Sequence, residues 1–139
     1  KTHDSYWNIL QFVRNACGGE LRSSQIVCDF ESALITAVKD WFPSVDIVGC
    51  YFHVKQACLR NMLRLRIPRD EIKIAMTRGT LDTLTVVPRE QIELEGIAWV
   101  KAKICDRCKE KGVPYSKHKW RKFWAYFKRT WVEQIPPTF

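Results

Sequence analysis

The 139-residue chain has no apolar run approaching the length of a membrane-spanning helix. Nor does a charged-then-apolar leader with a cleavage site stand out in it. Internal repeats, low-complexity tracts and Gly/Ser-rich linkers are also missing, so one compact domain over residues 1–139 is expected. Within it, residues 1–67 form a core portion and residues 68–139 a helical remainder. No glycine-rich loop is built to cradle a nucleotide, because Gly18-Gly19 has neither the spacing nor a following lysine. No Gly-x-Ser-x-Gly elbow occurs either, which leaves kinase and serine-hydrolase readings without support. The chain opens on Lys1 in place of methionine, and we expect it to be part of a longer polypeptide.

Acidic residues are unevenly spread along the chain. Residues 101–129 hold 11 Lys/Arg against 2 Asp/Glu, whereas residues 1–50 hold 4 against 6. The net charge of +8 is therefore concentrated toward the C-terminal side, and clustered Lys and Arg are the electrostatic footprint of a polyanion site. Nucleic acid is the leading partner; a solvated basic face, an acidic protein and a membrane surface are the alternatives. Six cysteines would allow a disulfide framework in a secreted chain. Cys28 and Cys58, however, sit inside apolar periodic segments, where free cysteine acts as a small buried hydrophobe. A reducing, intracellular compartment fits that usage better.

Periodicity predicts a helix over residues 4–17, capped by Asp4 or Ser5 and stopped by Gly18-Gly19. A short buried strand follows at residues 26–29, then a helix over 31–42 closed by Pro43, then a second strand at residues 45–49. Strand, helix, strand with short turns is a βαβ unit with parallel strands, which sets the fold class as α/β. Beyond it the chain reads as helical. Segments are predicted over residues 53–67, 68–79, 88–110 and 116–132, with Asp70 and Glu71 in the first turn of the second, where the helix dipole favours acids. A short helical turn is predicted near 80–87, and Pro136-Pro137 closes the chain. Two strands alone form a marginal sheet, so helical cover or further strands are needed.

Both strand ends carry chemistry. Asp29 ends the first strand, where a carboxylate can hold a hard cation such as Mg²⁺ or simply cap the next helix. Glu31 reads as a weaker second acid or as a first-turn residue favoured by the helix dipole. The second strand delivers Cys50-x-x-His53, half of a zinc site if Cys105-x-x-Cys108 supplies the other half. A buried non-ligand Cys/His pair and DNA contact by His53 are the competing readings. In the last helix Trp120, Phe123, Trp124, Phe127 and Trp131 recur at core spacing, and Lys119, Lys122, Lys128 and Arg129 accompany them. With Lys55 and Arg60 of the helix over 53–67, these basic residues are the candidate contacts to DNA phosphates.

The stretch VCDFESALITAVKDWFPSVDIVGCYFHVKQACLRN resembles the transposase domain of Mutator-like elements. The shared pattern is Asp29 ending a strand, Glu31, Ala33, Phe42-Pro43, Gly49-Cys50-x-Phe52-His53 and Gln56-Ala57. The segment Trp120-x-x-Phe123-x-x-Tyr126-Phe127-x-Arg129-Thr130-Trp131 is similar to the family's aromatic segment. The resemblance implies a truncated ribonuclease-H-like fold and a three-acid site that binds Mg²⁺ or Mn²⁺ to cut and join DNA in the nucleus. Asp29 aligns with the second acid, and Cys50 and His53 with the family's Cys-x-x-His element. The first acid is expected ahead of Lys1 and the last beyond the aromatic segment, with Glu133 too close to Trp131 to replace it. On this resemblance the chain alone is inactive and belongs to a transposase catalytic domain. A transposase-derived, non-catalytic DNA-binding or regulatory protein and a zinc-stabilised interaction module are the other readings. An unpaired edge on the first strand is expected to promote homo-oligomers.

Overall fold

The computed structural model describes residues 1–19 and 21–134, apart from the side chains of residues 89 and 134. Pro136-Pro137 lies outside the described residues. Among the described residues the chain is mainly helical with one two-stranded parallel sheet, broadly α/β. It divides into two compact units, Lys1–His53 and the residues from Val54 onward. Among the described residues no helix is long and apolar enough to cross a membrane.

The first unit begins with α1 (His3–Ala16). Its cap is Thr2, whose hydroxyl accepts the Ser5 N–H at 3.3 Å; the sequence pointed to Asp4 or Ser5 instead. Gly18 and Gly19, at φ of 68° and 79°, end it as expected, and Gly19 N–H returns to the Arg14 carbonyl at 2.9 Å. The helix packs on α2 (Ser32–Trp41) through Trp7, whose ring lies 4.8 Å from that of Trp41. The Trp41 indole N–H donates to the Trp7 carbonyl. No α1 residue is fully buried, and Phe12 is 74% exposed.

β1 (Gln25–Cys28) and β2 (Asp46–Gly49) pair in parallel, from Gln25 opposite Asp46 to Cys28 opposite Gly49. The expectation of a buried first strand is corrected here. Cys28 is buried but Val27 is 65% exposed, because successive side chains take opposite faces and only one face is covered. Phe30 folds over the end of β2, where a Cβ on Gly49 would run into its ring.

α3 (Tyr51–Arg64) starts two residues earlier than its sequence pattern and continues into the second unit, where Val54, Cys58, Asn61 and Met62 are buried. Arg66, at φ of 54°, turns the chain into α4 (Arg69–Met76). A 3₁₀ turn (Leu81–Thr85) matches the predicted helical turn. The long helix expected over residues 88–110 is divided. A short α5 (Arg89–Gln91) passes into a π-helical stretch (Ile92–Gly96) and then α6 (Ile97–Glu110). Gly112, at φ of 63°, stops it. α7 (Lys117–Phe127) leads into a second π-helical stretch (Lys128–Gln134). Trp120, Phe123, Trp124, Phe127 and Trp131 are all buried, so the aromatic spacing did mark the core.

Candidate functional site

Parallel pairing places the carboxyl ends of β1 and β2 side by side. Cys50 N–H donates to the Cys28 carbonyl at 2.9 Å, extending the ladder one step past the strands. Asp29 and Cys50 therefore follow adjacent strand ends, and His53 lies one helical turn on, its N–H bonded to the Cys50 carbonyl at 3.0 Å. His53 is exposed, with Phe52 edge-on at 5.8 Å. Burial pushes the Cys28 thiol up, and the nearby Asp29 carboxylate and Cys50 add to the shift.

The acids at this edge have local partners. Asp29 accepts the Glu31 N–H at 3.1 Å, which closes the turn that starts α2. Glu31 occupies the N-cap position of α2 but does not cap with its side chain. Its carboxylate instead accepts the Tyr6 hydroxyl at 2.6 Å and lies 3.7 Å from the Lys1 amino group. That hydrogen bond is the main reason the Tyr6 hydroxyl is pushed up to about 12. Asp29 alone offers one ligand to a cation that takes about six oxygens, so these residues do not by themselves make a Mg²⁺ or Mn²⁺ site.

Cys50 and His53 belong to the first unit, Cys105 and Cys108 to the second. Among the described residues no three His, Cys, Asp or Glu side chains gather as a metal-holding group. Cys105 and Cys108 lie one turn apart within α6, and Cys108 is fully buried with its thiol raised, first by burial and then by Glu71 and Cys105.

The six basic candidates do not form one free face. Lys119 donates to the Arg66 carbonyl at 2.6 Å, tying α7 to the turn after α3. Lys128 pairs with Glu93 at 2.6 Å, and Arg60 donates to Gln56 at 2.8 Å. Lys55 is half-buried, and its charge helps hold the Asp82 carboxyl down. Lys122 and Arg129 are exposed, with no hydrogen bond or ion pair among the described residues.

The most elaborate polar cluster was missed from sequence. Glu71 is 0% exposed, and its carboxylate receives three groups. Ser116 N–H and the Trp120 indole N–H both donate to Oε2, at 2.9 and 2.6 Å, while the Ser116 hydroxyl meets Oε1 at 2.6 Å. Sequence reasoning placed Glu71 in the first helical turn as a dipole partner. The overlooked signal is its spacing of four from Ala75, which is fully buried and puts Glu71 on the inward face of α4. Nearby, burial tends to raise the Asp82 carboxyl, but the N–H groups of Gly79 and Thr80 outweigh it and hold Asp82 below its ordinary value. The Thr80 hydroxyl in turn accepts from Arg107.

Comparison of the chain with protein-family models, with curated proteins and with solved structures gives no match.

Proposed function

We propose that the chain is part of the catalytic domain of a Mutator-like DNA transposase, or of a protein derived from one. One observation carries the reading: two parallel strands end side by side, one delivering Asp29 and the other Cys50-x-x-His53. Ligands of open α/β sheets bind outside such carboxyl strand ends. On this reading the fold is of the ribonuclease-H-like kind, and Asp29 is one of three acids that hold Mg²⁺ or Mn²⁺. Lys122 and Arg129 contact the DNA backbone. A second reading, a transposase-derived DNA-binding protein without catalysis, is supported by Asp29 closing the α2 turn, which gives its carboxylate a structural use.

The two readings part in a DNA strand-cleavage assay on the full-length gene product with Mg²⁺ or Mn²⁺. The catalytic reading expects cleavage that Asp29→Asn abolishes, and cleavage that survives this change refutes the role of Asp29. Both readings expect DNA affinity to fall with salt. Lys122→Ala with Arg129→Ala should flatten the logarithmic salt slope by about 2. An unchanged slope removes these residues from the interface.

A further inference from the structure

The second unit contains a cleft that none of the roles above uses. It lies where the 3₁₀ turn meets the π-helical stretch and the start of α6, and has a volume of about 290 Å³. That is the lower end of the range for small-molecule sites. Leu84, Val87 and Val100 give it an apolar lining, and Glu95 and Trp99 stand beside them. Gly96 makes this close packing feasible, since a Cβ there would come within 3.0 Å of Leu84 Cδ2. The wider π turn falls at the same place, and such turns are frequent at functional sites.

Two features define the chemistry of an occupant. Glu95 is exposed and makes no ion pair or hydrogen bond among the described residues, so its charge is available at the cleft. Trp99, which lines the same cleft, is 48% exposed. Its ring already attracts one cation, with Lys103 Nζ 4.1 Å from the centroid. The indole also borders a neighbouring cleft that contains Lys103, so it stands between the two. An apolar lining, an indole wall and an unpaired carboxylate together suit a ligand with an apolar body and a single positive charge. An anion would meet Glu95 without a compensating cation in the lining.

We infer that the cleft between the 3₁₀ turn and the π-helical stretch binds a small hydrophobic organic cation of the aryl- or alkylammonium class. This site is independent of the strand-end edge and of the transposase reading.

Three probes of like shape test it: 2-phenylethylammonium, 2-phenylethanol and 3-phenylpropionate, each titrated into the ¹⁵N-labelled chain. Saturable shifts at Thr83, Val87, Glu95 and the Trp99 indole N–H are expected, with the ammonium bound about two- to five-fold more tightly than the alcohol. Glu95→Gln should reduce that ratio while leaving the alcohol's affinity unchanged. Val87→Phe should fill the cleft and suppress binding of all three. Glu95 is exposed, so the spectrum of its variant also reports that the fold is retained. Absence of saturable shifts at these residues overturns the inference, as does an ammonium bound no more tightly than the alcohol or a preference undiminished by Glu95→Gln.

Discussion

Removing the Glu71 carboxylate tests whether acceptor geometry, and not charge as such, joins α4 to the start of α7. In Glu71→Ala three groups lose their partner. The Trp120 indole N–H is the costly one, because Trp120 is 1% exposed and water cannot replace the acceptor. A buried donor left unmade costs about 1–3 kcal/mol. Ser116 is half-buried, so its N–H and hydroxyl recover part of their loss from water. The cavity left by the side chain adds to this, and a total of about 3–5 kcal/mol is expected. Glu71→Gln should behave differently. Its amide oxygen can take both N–H donors now on Oε2, while its amide nitrogen donates to the Ser116 hydroxyl, which accepts as well as it donates. All three contacts survive, and a cost near 1 kcal/mol is expected. Ser116→Ala removes one contact and should cost about the same. Urea denaturation followed by tryptophan fluorescence measures each value. A Glu71→Ala cost below about 1 kcal/mol would refute the reasoning. A glutamine variant as damaged as the alanine one would show that charge, not geometry, is what the site requires.

Three further outcomes follow from other parts of the chain. Gly49→Ala should destabilise the first unit by about 1–3 kcal/mol by forcing the Phe30 ring aside. Most of that cost should vanish in a Phe30→Ala background, as a double-mutant cycle by chemical denaturation would reveal. His3 should titrate above its ordinary 6.5, because its ring is hydrogen-bonded to Asp40 at 2.8 Å and to Asp4. The raised value means that any stabilisation from the pair is fully present below pH 6.5 and is lost as pH rises through the folded-state value. An NMR titration should show the His3 midpoint falling back in Asp40→Asn. In thiol labelling of the native chain Cys17, which is exposed, should react first. Cys58, buried and pushed up to about 12 by desolvation, should react only on unfolding.

Much of the architecture was legible from periodicity. Apolar spacing of three and four identified the helices around Ala37, Met62 and Phe123, and two short apolar runs identified the parallel strands. Spacing says which side of a helix turns inward, but not what it meets there. Lys119 was read as a phosphate contact, yet it caps a carbonyl 53 residues earlier. Glu71 was read as a first-turn acid at the helix dipole, yet its partners come from a segment 45 residues later. The exposure of Val27 was hidden for a related reason, since an apolar run does not reveal how many faces of its strand are covered. The π-helical stretch at Ile92–Gly96 leaves no periodic signature, because its apolar residues also fit an α-helical pattern.

The uneven distribution of buried side chains implies two stabilities within one chain. Among the described residues of the first unit only Cys28, Ala37 and Val38 are buried, and α1 contributes none. Among the described residues of the second unit the core runs from Val54 to Val132 and includes five buried aromatic rings. Sparse burial lowers the free energy of local opening. Amide protons of α1, β1 and α2 should therefore exchange with solvent well before those of α6 and α7, and a single melting temperature would average over two separate events.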